Sequence, residues 1–195
     1  MLNHLVLDKK FESSFLSVEK DIETILRKLF IESQPYCDTL KRLLVVNTKD
    51  CLTDLSNETY KEKLNEMSLS KLRREGYVKL NPKIRIPEHE EIKTYLIVSM
   101  DNFVPNENNP YYRDCTVHFE IICHTDYWEM DNYQIRPLKI AGFIDGILNK
   151  AKLSGIGEFN FVSCNEIVLD EVLSGYCLTY LAIHGFDDKI APEEE

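Results

Sequence analysis

Four potential metal ligands, Cys115, His118, Cys123 and His124, crowd into the run CTVHFEIICH. A zinc site needs such side chains to converge on one tetrahedral point. This run alternates with the period of a strand. Cys115, Val117, Phe119, Ile121 and Cys123 point one way, and Thr116, His118, Glu120 and Ile122 point the other. The thiols and imidazoles therefore take opposite faces and cannot meet without a bulge. The expectation is buried thiols and surface imidazoles, with no metal and no cofactor. None of the six cysteines forms a CxxC pair, so neither a zinc knuckle nor a dithiol redox motif is present.

Asp101 and Glu120 are the carboxylate pair most suited to divalent-metal chemistry. A nuclease-type site would pair them with a lysine two residues after the glutamate, but the chain reads EIIC there. No GxSxG elbow occurs. The glycines of SGIGEF follow a helical segment, whereas a phosphate cradle needs them leading into one. Tyr127, Trp128 and Tyr133 could stack on a ligand, but half-buried anchoring of a loop is the role expected of them. No catalytic residue is assigned.

The 195 residues carry 23 basic and 33 acidic side chains, a formal charge of −10. A net negative field repels phosphate backbones at long range. The one dense basic cluster, Lys71, Arg73 and Arg74, suits the C-terminal turn of a helix, where cations complement the dipole. The first residues lack the basic and apolar regions of a signal peptide, and no apolar run reaches membrane-spanning length. With free cysteines in apolar strand runs, these features point to a reducing cytosol.

Periodicity places the elements. Phe11, Phe15, Val18, Ile22, Ile25, Leu26 and Leu29 make one stripe on a helix over 11–31, ended by Ser33–Pro35. Asp38 is expected to cap a second helix with Leu40, Leu43 and Leu44 inward. A charged, peripheral helix over 60–75 stops at Gly76. Ile84 and Ile86 suggest an edge strand between prolines, and Tyr95–Met100 a central one. After the strand Cys115–Cys123, Pro137 opens a helix with Ile140, Phe143, Ile144, Ile147, Leu148 and Ala151 on one face, ended by Gly155 and Gly157. Strands within 159–169 and 176–184 close the chain, the second apolar on both faces. The class is α+β: an antiparallel or mixed sheet crossed by one helix. The expected organisation is a helical extension over 1–76, the α+β domain over 77–185 and an acidic tail over 186–195.

The order of parts, YLIVSMDNF, CTVHFEIICH, RPLKIAGFIDGILNKAKL, GEFNFVSCNEIVL and YCLTYLAIHG, resembles the tail-completion and tail-terminator proteins of tailed bacteriophages and related neck proteins. The resemblance covers about residues 80–185 and is one of pattern, without a signature motif. It implies a structural virion protein, not an enzyme. Such a protein forms a ring, commonly a hexamer, that completes the tail or joins it to the head. It assembles in the host cytoplasm with tail-tube and connector proteins, while genomic DNA passes through unread. The interaction residues it implies are Val104, Asn106, Asn108, Tyr111 and Tyr112 in one loop, Tyr127, Trp128 and Tyr133 in another, and Tyr176 and Tyr180 on the last strand. The N-terminal helices depart from that pattern. Two alternatives stand beside it: a metal-dependent nuclease using Asp101 and Glu120, and a small dimeric cytosolic adaptor.

Overall fold

The structure is a computed structural model, and it describes residues 14–54, 56–80, 93–108 and 112–184. The expected edge strand at Ile84 and Ile86, the acidic tail, Phe11 and Tyr111 lie outside these residues. The chain is α+β. Its five-stranded sheet has the order β1-β2-β3-β9-β8. β1 (Val78–Lys79) pairs parallel with β2 (Thr94–Pro105). β2, β3 (Arg113–His124), β9 (Leu173–His184) and β8 (Asn160–Val168) follow in that order, each antiparallel to its neighbour.

The alternation expected along β3 is present. Cys115, Val117, Phe119, Ile121 and Cys123 are fully buried beneath the helices, while Thr116, His118 and Glu120 are half-buried on the other face. Ile122 belongs to a smaller outer cluster with Tyr95, Ile97 and Leu173. α5 (Arg136–Leu148) crosses the inner face, burying Pro137, Ile140, Ala141, Ile144 and Leu148. It ends earlier than its glycines suggested. Asn149 turns extended and Lys150 takes φ +64°, whereas Gly155 and Gly157, at φ +85° and +76°, belong to the turn between β6 (Lys152–Leu153) and β7 (Gly157–Glu158).

The N-terminal stripe forms α1 (Val18–Arg27), running into a π-helical turn over Lys28–Glu32. α2 (Tyr36–Val45) starts at Pro35, so Asp38 sits inside the first turn and is not the cap. The charged helix is two helices, α3 (Glu58–Glu66) and α4 (Leu69–Arg74). Asn57 and Ser68 accept backbone N–H groups at their starts, and the new cap at Ser68 is why the chain breaks there. Ile25, Phe30, Leu40 and Leu44 share one apolar core with Phe119, Ile144 and Tyr180, so helices and sheet pack as a unit.

Two buried guanidiniums hold the connection after α2. Arg136 is 0% exposed. Its Nε donates to the Tyr127 carbonyl (2.9 Å), Nη1 to Leu43 (2.8 Å) and Val46 (3.1 Å), and Nη2 to Thr48 (2.5 Å). Arg42, also buried, donates to the Cys51 carbonyl and to that of Asp54 (2.5 Å). The last carbonyls of a helix lack partners within it and carry its negative dipole end, so a cation serves them twice. A further pin ties α1 to the sheet: buried Asp21 bonds buried His184, the last residue of β9.

Gly175 of β9 stands opposite Ile122 in the ladder with β3. A Cβ there would stand 1.6 Å from the Ile121 carbonyl oxygen, whereas one on Gly142, on the outer side of α5, meets nothing within 4 Å. Gly175→Ala is expected to destabilise by about 3 kcal/mol or more by overpacking. Gly142→Ala should stabilise by roughly 0.5–1 kcal/mol through helix propensity. Arg136→Met, which takes the donors from four carbonyls, those of Leu43 and Val46 buried, should cost about 3–5 kcal/mol. Arg136→Lys should recover only part of that, because an ammonium lacks the planar fork. Urea unfolding followed by circular dichroism measures all four.

Candidate interaction surface

The outer face of the sheet carries a polar row that only the strand register assembles. Asp101 Oδ1 lies 3.1 Å from His118 Nε2, and His118 Nδ1 lies 3.2 Å from Thr179 Oγ1 and 3.8 Å from Cys177 Sγ. The carboxylate orients the imidazole so that Nδ1 can accept a proton from a hydroxyl or thiol. The order resembles a nucleophile–base–acid relay. Burial pushes the Cys177 thiol up, and Glu120 beside it adds to the push, so the sulfur stays protonated and a poor nucleophile near neutral pH. Burial raises the Glu120 carboxyl as well.

Asp101 and Glu120 do not meet. Asp101 faces Thr116 across the β2–β3 ladder, four residues along β3 from Glu120. At strand rise that is about 13 Å, too far for one metal ion to bridge. Among the described residues no three His, Cys, Asp or Glu side chains are grouped to hold a metal. Cys115 and Cys123 lie in the core, turned away from His118.

The expected interaction residues separate into three groups. At one end of β3, Val104 is exposed. Asn106 Nδ2 donates to Asp114 (2.7 Å), and Asn106 Oδ1 accepts the Asn108 N–H (3.0 Å). Tyr112 is half-buried and its carbonyl accepts the Asn106 N–H (3.1 Å). At the other end, Tyr127 and Trp128 are half-buried, and Trp128 packs on Tyr176 with ring centroids 6.1 Å apart. These two anchor their loop. Tyr133 does not: it stands fully exposed at the tip of the ribbon formed by β4 (Glu129–Met130) and β5 (Gln134–Ile135). Its φ of +59° is a conformation that an aromatic residue adopts only under constraint. The two loops are about 36 Å apart, the length of β3.

The last strand corrects the expectation for Tyr180. It is fully buried on the helix side, edge-on to Phe119, Phe159 and Phe161 at 5.8–6.0 Å, with its hydroxyl donating to Asp145 (2.8 Å). It cannot touch a partner. The outward side chains of β9 are Cys177, Thr179, Leu181 and Ile183, the last two exposed.

What the sequence did not single out is the edge strand. Among the described residues β8 pairs only with β9 in the sheet. Phe161, Val162 and Val168 along it, and Leu169 after it, are exposed. Lysine and proline, which blunt natural edges, are absent from β8, leaving one bulge beside Phe161 and one charge, Glu166. On the outer side of the helix layer, Tyr36, Leu138, Gly142, Phe143, Gly146 and Ile147 line a groove of about 440 Å³. Among the described residues no helix is long and apolar enough to cross a membrane.

Residues 38–182 match the YomW family over its shared sequence pattern. The chain belongs to the YomW family. That family is phage-derived, so this is a phage-related protein. The match takes in α2 from its third residue, the sheet up to the last two residues of β9, and α5, and therefore both guanidinium clamps and the exposed edge. No curated protein matches the chain.

Thiol chemistry offers a direct check on this placement in the YomW-family chain. Cys164 is exposed, Cys177 half-buried, and Cys37, Cys51, Cys115 and Cys123 buried. Burial pushes Cys115 and Cys123 up to about 12. At pH 8 a disulfide reagent should titrate Cys164 first and Cys177 more slowly. The four buried thiols should react only when denaturant is added, as peptide mass spectrometry would resolve.

Proposed function

We propose that this protein is a structural component of the phage neck or tail, a ring of identical subunits that completes the tail or joins it to the head. The exposed β8 edge carries the reading. A nine-residue strand with apolar side chains outward and few devices against pairing is a surface that association would cover. Phage ancestry supports it. So do the two loops at opposite ends of β3, a placement that suits a subunit contacting different neighbours above and below. The protein is not an enzyme in this reading, and the polar row around His118 serves the sheet surface. Its partners are further copies of itself and the tail-tube and connector proteins, in the virion. The −10 charge suits a wall past which DNA slides without binding.

Native mass spectrometry and light scattering test the reading over a range up to about 100 μM, a range that detects contacts of micromolar strength. A closed oligomer with one defined copy number is expected, formed alone or on addition of tail-tube protein. A monomer at every concentration, with and without that protein, would overturn it.

A further inference from the structure

Among the described residues, the strands at the two ends of the sheet have side chains of opposite charge beside them. Among the described residues β1 and β8 are the outermost strands, four inter-strand spacings apart, or about 19 Å. α4 leads directly into β1 and packs beside it. Its last turn holds Lys71, Arg73 and Arg74. Lys71 is engaged with Glu66 (3.0 Å) and Glu75 (3.7 Å). Arg73 and Arg74 are exposed and take part in none of the ion pairs among the described residues.

The other edge is the reverse. From Leu153 to Asp188 the chain contains no lysine or arginine. Glu166 on β8 and Glu171 in the β8–β9 turn are exposed and likewise outside those ion pairs. Glu158 differs, since Lys150 (3.6 Å) and Lys152 (3.9 Å) already neutralise it. Two unpaired carboxylates thus flank an apolar edge, while two unpaired guanidiniums stand beside the opposite edge.

An isologous β8–β8 contact would bring acidic edges together, in a chain already at −10. A heterologous contact brings unlike charges together and repeats head to tail, the kind of contact from which rings are built. We infer that the β8 edge of one copy docks beside the α4–β1 edge of a second copy, with Glu166 and Glu171 facing Arg73 and Arg74. The inference rests on the ring reading above and names the two surfaces that meet in it. Val162, Val168 and Leu169 provide the apolar part of the contact. The charges set its orientation, since complementary patches steer docking and like charges reject wrong partners.

Charge reversal tests this on the full chain by light scattering. Glu166→Arg with Glu171→Arg should weaken association at least about tenfold, and so should Arg73→Glu with Arg74→Glu, because each sets like charges face to face. All four reversals in one chain should restore it. Raising sodium chloride from 50 to 500 mM should weaken the wild type and leave it folded by circular dichroism, since salt screens exposed charges. If wild type associates but the Arg73/Arg74 reversal leaves association unchanged, or the fourfold variant is no better than the twofold ones, the head-to-tail contact is wrong while the ring reading stands. If wild type never associates, both fall.

Discussion

Backbone carbonyls left over at the end of α2 and in the connection that follows it are the constraint around which this molecule is arranged. A chain leaving a helix beneath a sheet must find donors for them away from water. Arg136 and Arg42 supply those donors from two sides. Arg136 comes from the start of α5, so the same side chain that satisfies α2 also locks the crossing helix to the N-terminal helices. It reaches back to Tyr127 as well, fixing the loop that enters α5. A neutral side chain could satisfy at most one or two of these acceptors, and a lysine would lack the fork that spreads donors over several directions.

With that layer fixed on the inner face, the sheet is left asymmetric. Its inner face is apolar and shared with the helices. Its outer face is largely polar, with the Asp101–His118–Thr179 row at its middle and small apolar clusters toward its ends. β3 and β9 have a long partner on each side, whereas among the described residues β2 has only the two-residue β1 on its second side and β8 is paired on one side only. The close approach at Gly175 lets β9 lie tightly against β3. Stability and surface chemistry are therefore separated: the helix layer and central strands hold the fold, and the edges, turns and loop tips carry what a neighbour would meet.

The YomW relationship and the expected tail-terminator pattern agree at the coarser level, a phage protein with an α+β fold. The finer assignment depends on the edges. Among the described residues, acidic side chains beside one end strand and basic ones beside the other give the sheet a direction, and direction is what a repeating contact between identical subunits requires.

Much of the fold was legible because periodicity is local. The alternation of Cys115–Cys123 and the inward leucines of α2 follow from spacing alone and are buried, as are Ile140, Ile144 and Leu148 of α5, while Phe143 and Ile147 are only half-buried and Ala151 lies past the helix. Helix ends were less legible: Ser68 breaks a continuous charged stretch, and α5 stops at Leu148, because caps and left-handed residues compete with periodicity there. Tyr180 was misplaced because both faces of β9 are apolar, and alternation cannot say which of two such faces meets a helix. The Arg136 clamp joins residues about ninety positions apart, and the Asp21–His184 pin spans 163. Neither leaves a local signal. By itself the sequence determined the elements, the α+β class and the lack of a recognised catalytic motif. Only the tertiary structure decided which strand is left at the edge, which tyrosine is exposed and which charges remain unpaired, since each of these depends on what lies opposite in space.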